Sequence, residues 1–158
     1  MALISVEYSN LYPVLFFDEQ KANNFFQRIF RLHEHKFKGV LSVVFLDEEE
    51  HCKLHGRFLK DYRPTDVITF QGDSESEIVG EICVSVDKAI EESKNQNLSF
   101  DMELCLYLIH GWLHLVGFDD KTEIDRSLMK REEKNVMCII EKDKLWPNFV
   151  LAQNLQEG

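Results

Sequence analysis

A chain of 158 residues with 44% hydrophobic residues, 12 Phe and a net charge of −10 is long enough to bury a core and too apolar for disorder. The negative balance argues against a protein that coats nucleic acid without specificity, because such binding needs neutralised phosphates, but it allows an enzyme with a local basic cleft. No apolar run reaches membrane-spanning length, and the opening MALISVEYSN lacks the basic n-region of a signal peptide, so a cytoplasmic protein is expected.

Taken in order, Leu3 to Tyr8 is β-rich and reads as a first strand. Asp18 caps a helix whose Ala22, Phe25, Phe26, Ile29 and Phe30 recur at i, i+3, i+4, i+7 and i+8, an amphipathic stripe facing a core. Gly39 to Leu46 reads as a buried strand, and Asp47 caps a helix running to about Leu59. The acidic run Glu48 to Glu50 falls in its first turn, where negative charge suits the helix dipole. Pro64 breaks the chain, Val67 to Phe70 is a strand, and a turn at Gly72 to Ser76 leads to a further strand, Ile78 to Val86. Asp87 is expected to cap a short helix to about Lys94. Residues 101–116 form a nearly all-apolar helix, and Thr122 and Glu123 start a long charged one with Ile124, Leu128, Val136, Ile139 and Ile140 inward. The tail after about residue 146 is expected to pack loosely.

This order predicts one domain over 1–158, an α+β fold in which a small mixed sheet of about four strands is covered by helices, with the most apolar helix central and buried. Cys52, Cys83, Cys105 and Cys138 are scattered, with no CxxC pair, and read as buried free thiols. Acid concentrates in Asp47 to Glu50 and in Glu91-Glu92, whereas the basic residues gather around Lys53, Arg57, Lys60 and Arg63.

The chemistry lies in His110-Gly111-Trp112-Leu113-His114-Leu115-Val116-Gly117-Phe118-Asp119-Asp120. Histidines four residues apart on a helix sit about 40° apart and point the same way. Gly117 stands where such a helix ends, and Asp119 and Asp120 follow on a chain turned back toward the imidazoles. Two imidazoles and a returning carboxylate make three ligands for a divalent metal with a position left open. Two core histidines bonded to carbonyls are the plainer alternative, but Leu106, Leu108, Ile109, Leu113, Leu115 and Val116 surround the pair, and unpaired imidazoles there are costly. Zinc proteases place a glutamate after the first histidine to act as general base; Gly111 occupies that position, which lowers the rank of peptide hydrolysis.

His110 to Asp120, preceded by Glu103-Leu104, resembles the signature of the YbeY family of bacterial endoribonucleases, also described as rRNA maturation factors. Pro64-Thr65-Asp66-Val67-Ile68-Thr69-Phe70 is similar to a second family element, PTDVLSF, and Gly80-Glu81-Ile82 to a third. The three fall in the family's order, from about residue 40 to residue 140.

The resemblance implies a single-strand-specific, metal-dependent endoribonuclease that matures the 3′ end of 16S rRNA and supports ribosome quality control. It implies zinc as cofactor, and as partners the small ribosomal subunit, ribosomal proteins and a ribosome-associated GTPase. In the family three histidines hold the zinc in HxxxHxxGxDH. His110 and His114 match the first two, and Asp120 stands at the third, which makes the site harder and more anionic. Asp119 is assigned to cap or orient the turn. Leu59 stands where the family carries an arginine thought to meet phosphate, so Arg57, Lys60 and Arg63 become the candidate substrate-binding residues. A metal hydrolase acting on another substrate and a non-catalytic ribosome assembly factor are the rival readings.

Overall fold

The computed structural model describes residues 3–59 and 65–152. Its main sheet has the strand order β1-β3-β5-β4, where β1 is Ile4–Asn10, β3 is Gly39–Leu46, β5 is Ile78–Ser85 and β4 is Val67–Asp73. β1, β3 and β5 run parallel, and β4 pairs antiparallel with β5 as the hairpin that the turn residues suggested. Two further strands of two residues each, β2 (Leu15–Phe16) and β6 (Val150–Leu151), pair antiparallel beside it. They are too short to leave a periodic signal in the sequence.

The expected helices form, with small shifts at their ends. Asp18 caps α1 (Glu19–Phe30), and the predicted five residues are the buried ones. Asp47 caps α2 (Glu48–Leu59), its carboxylate accepting from the Glu50 amide at 2.8 Å. The cap of α3 (Val86–Gln96) is Ser85 and not Asp87. Asp87 instead accepts from the Tyr12 hydroxyl at 2.6 Å and the Glu48 amide at 2.8 Å, so it ties the first loop to the start of α2. Ser99 caps α4 (Phe100–Leu115) and Thr122 caps α5 (Glu123–Asp143).

Strand alternation separates two faces. Leu41, Val43, Phe45, Ile82 and Val84 point into the main core with α1 and α4, whereas Leu46, Ile68 and Cys83 pack with Leu54 of α2 on the other side. On α5 the inward stripe is Met129, Val136 and Ile140, with Ile139 half-buried. Ile124 and Leu128 do not face inward as expected; they are 73% and 45% exposed. The inward stripe holds its 3.6-residue period only from Met129 onward. The four cysteines are free, but only Cys83 and Cys105 are buried, and Cys138 is exposed. As far as Ala152 the chain after Pro147 is docked and not loose: Phe149 is buried against Phe17 and Phe45, and the Asn148 and Phe149 amides donate to the Asp101 carboxylate.

α4 is the central element, touching β4, β5, α3 and α5. It comes close to the sheet at Gly111, where an added Cβ would lie 2.7 Å from Ile82 Cγ2 and 3.2 Å from Thr69 Cγ2. That contact also explains why no glutamate stands here: there is no room for one. Gly111→Ala should gain about 1 kcal/mol of helix propensity and lose about 1–3 kcal/mol to overpacking against two strands. A net fall in melting temperature is expected on thermal unfolding, and a more stable variant would show that the sheet can give way.

His51 on α2 is buried, with Nε2 donating to the Cys83 carbonyl at 2.9 Å. Burial holds its pKa below the ordinary 6.5, outweighing the pull of that carbonyl and of Asp66. The unfolded chain therefore takes up a proton near pH 6.5 that the folded chain refuses, and stability falls as the pH drops through that value. Urea unfolding across this range should show the decline, with a shallower slope in His51→Gln; parallel curves would assign the decline to other groups.

Candidate metal centre and cleft

α4 delivers both histidines because positions 110 and 114 share a face, and its end brings the third group back. Val116 is the C-cap, and Gly117 takes φ +113°. The Gly117 amide donates to the His114 carbonyl at 3.1 Å and the Phe118 amide to the Leu113 carbonyl at 2.9 Å, the paired bonds of a Schellman turn. The reversal sets Asp120 beside the helix it has just left. Asp119 Oδ1 accepts from the Asp120 amide at 2.8 Å, which is the turn-orienting role expected of it. Arg126 of α5 donates to the Asp120 and Lys121 carbonyls at 3.3 and 3.2 Å and fixes the same loop.

Three potential ligand atoms converge. His110 Nε2 and His114 Nε2 are 3.1 Å apart, and Asp120 Oδ2 lies 3.2 Å from His114 Nε2 and 3.5 Å from His110 Nε2. A tetrahedral ion with ligands at 2.0–2.1 Å needs edges of about 3.3 Å, so the triangle has the size such an ion requires. The donor set of two imidazoles and a carboxylate fits a divalent metal, and these residues could hold one.

A residue that sequence reasoning missed completes the arrangement. Glu133 of α5 lies 2.5 Å from His110 Nδ1. Nδ1–H donates to that carboxylate, which in the neutral ring leaves Nε2 unprotonated and aimed at the triangle. Burial disfavours charge on His110, but the Glu133 hydrogen bond, the Glu133 charge and those of Asp66 and Asp120 outweigh it and raise the imidazole above its ordinary pKa. The signal was present in the sequence: Glu133 interrupts the inward stripe Met129, Val136 and Ile140 at a helical position.

The site opens onto a cleft of about 310 Å³. Its sides are α3 (Lys88, Glu92, Gln96), α4 (Glu103, Tyr107, His110) and α5 (Arg126, Lys130, Glu133), with Asp66 at the start of β4. Asp66 is the described residue of the PTDV stretch that reaches the cleft, and its carboxylate also accepts from the Val67 amide at 2.7 Å. Of the candidate substrate-binding residues, Arg57 does not line this cleft. It is exposed on α2, beside a groove of Val44, Leu46, Lys53 and Cys83 on the other face of the sheet. Lys60 and Arg63 lie outside the described residues. Among the described residues, the cations that the fold brings to the cleft are Lys88, Arg126 and Lys130, from helices outside that cluster.

Fold and site together define an α+β protein with a two-histidine, one-carboxylate cluster at the mouth of a cleft between helices. Comparison with known proteins makes the class specific. The endoribonuclease YbeY family model matches residues 10–141. An endoribonuclease YbeY from Christiangramia forsetii is 34% identical over 121 residues, covering 77% of this chain and 84% of its own. One from Carboxydothermus hydrogenoformans is 30% identical over 137 residues, covering 85% and 96%. The solution structure of TM1509 from Thermotoga maritima aligns with a TM-score of 0.56 over 89% of this chain and 95% of that one, at 23% identity, a likeness of fold. The chain belongs to the endoribonuclease YbeY family.

Orienting carboxylates behind a ligating histidine are commonly worth 10–100-fold in metal affinity. Glu133→Gln is expected to weaken divalent-metal binding by about that factor in a titration of metal-stripped protein. An unchanged affinity would remove Glu133 from the site.

Proposed function

We propose that this protein is a metal-dependent endoribonuclease that cuts single-stranded RNA during maturation of ribosomal RNA, at the 3′ end of 16S rRNA. The observation that carries the reading is the triangle of His110 Nε2, His114 Nε2 and Asp120 Oδ2, at 3.1, 3.2 and 3.5 Å, in a chain of the endoribonuclease YbeY family. Zinc is the ion proposed, held by those three residues, because two imidazoles and one carboxylate suit it. When bound, it supplies Lewis acidity to polarise a phosphoryl oxygen and lower the pKa of water.

The chain's own residues do the rest. Glu133 fixes the tautomer and orientation of His110, and Arg126 and Asp119 hold the turn that presents Asp120. Arg126 and Lys130 offer positive charge along the cleft for the RNA backbone, whereas Lys88 is paired with Glu92. Gly111 leaves no glutamate base of the protease kind, which favours a phosphodiester over a peptide.

The proposed setting is the cytoplasm, with the small ribosomal subunit, its proteins and a ribosome-associated GTPase as partners. Among the described residues no helix is long and apolar enough to cross a membrane. A chain of net charge −10 suits docking on basic ribosomal proteins.

The test is cleavage of a single-stranded RNA before metal stripping, after it, and after zinc is restored, with Asp120→Ala alongside. Stripping and the substitution should each cost about 10²-fold or more in rate, the scale of losing a transition-state contact. Folded, metal-loaded protein that cuts no RNA would overturn the reading in favour of an assembly factor.

A further inference from the structure

The helix face that carries the two histidines continues toward the start of α4. Glu103, Tyr107, His110 and His114 follow at i, i+4, i+7 and i+11, and the first three line the cleft. Glu103 is 2% exposed and Tyr107 3%. The Glu103 carboxyl and the Tyr107 hydroxyl lie close enough to interact, but neither Glu103 Oε2 nor the Tyr107 hydroxyl makes a well-formed hydrogen bond. Buried polar atoms left in this state are rare, and two side by side in a cleft wall call for a group from outside the chain.

The surroundings say what kind of group. Burial holds the Glu103 carboxyl above its ordinary range; the adjacent Tyr107 hydroxyl pulls the other way, the charges of Glu92 and Asp66 add to the rise, and no cation is among its causes. Lys88, the cation on the facing helix, is already paired with Glu92 at 3.6 Å. Among the described residues the three-ligand cluster is that of His110, His114 and Asp120, and Glu103 has no such company. What the pocket lacks is N–H donors on a flat group, because Leu106 and the buried Met129 offer apolar surface beside it. The charges along the cleft are ordered to match: Arg126 and Lys130 are exposed, and the Glu103 acid is deep.

A nucleotide has that order, phosphate outward and base edge inward. Glu103 lies about 10 Å along the helix from His110, comparable with the span from a phosphate to the far edge of its base. Among the RNA bases guanine presents two adjacent N–H donors, N1–H and N2–H, which a carboxylate accepts side by side, next to an O6 acceptor. We propose that the inner end of the cleft is a guanine-selecting pocket, in which Glu103 accepts from N1–H and N2–H and the Tyr107 hydroxyl donates to O6. The proposal rests on RNA being the substrate, and it makes Glu103 and Tyr107 specificity-determining residues for the base beside the cut.

The test is binding of the four ribonucleoside 5′-monophosphates to the metal-loaded protein by calorimetry. Ribose and phosphate are common to all four, so a difference reports the base. Guanosine monophosphate should bind about tenfold more tightly than the others. Glu103→Gln, nearly isosteric, should erase the preference with metal content unchanged, and Tyr107→Phe should reduce it. Equal affinity for the four nucleotides, or a preference that survives in folded Glu103→Gln, overturns the proposal. Mapping the cut sites on a mixed-sequence RNA keeps the two readings apart. Cleavage without a guanine beside the cut overturns the pocket and leaves the ribonuclease standing; no cleavage by folded, metal-loaded protein overturns the ribonuclease, and nucleotide binding still decides the pocket.

Discussion

The seat of α4 on the sheet governs everything else in the molecule. With no Cβ at Gly111, the helix settles against Ile82 and Thr69. That depth and rotation decide what each of its other faces meets. Trp112 turns toward Phe30, Phe37 and His35, filling the space under α1. His110, Tyr107 and Glu103 turn the other way, into the gap that α3 and α5 leave open, with His114 beside His110. A helix that is apolar over most of its surface can carry a polar stripe only where a cleft admits water or a ligand. The cleft is thus a consequence of the packing as much as of the motif.

At the mouth of the cleft, electrostatics and geometry have one solution in common. With His110 Nδ1–H donating to Glu133, the Nε2 lone pair is directed at the same point as His114 Nε2 and Asp120 Oδ2. A proton on His114 Nε2 can bridge these atoms, and with both imidazoles unprotonated at Nε2 a divalent cation can take its place. With Asp120 as its third member the triangle carries a negative charge that a third imidazole would not. A site of that kind binds a dication more strongly through charge and less selectively through softness.

The charge along the cleft is distributed differently from that of the chain as a whole. A net charge of −10 is spread over the surface, while Lys88, Arg126 and Lys130 are brought together along one opening. The same opening is lined by Asp66, Glu92, Glu103, Asp120 and Glu133, so the cleft carries both signs, with Arg126 and Lys130 exposed at its surface.

Much of this was legible in the residues alone, because it is local. The i, i+4 histidines must share a helix face, Gly117 ends the helix because its φ of +113° suits glycine, and Asp18, Asp47 and Thr122 cap because their oxygens reach amides two or three residues on. The stripe of α1 and the β4–β5 hairpin follow from period and turn chemistry in the same way. What the tertiary structure alone decided depends on elements distant in sequence. Glu133 meets His110 across 23 residues, and Asp66 and Lys88 reach the cleft only after the sheet has formed. Arg57, by contrast, is carried to the other face because α2 crosses behind the strands. The chain from Pro147 to Ala152 is ordered by Asp101, Phe17 and Phe45, none of them its neighbours in sequence. Local sequence specifies dihedral angles and periodicity; which faces then meet is set by the burial of one core, a property of the whole chain.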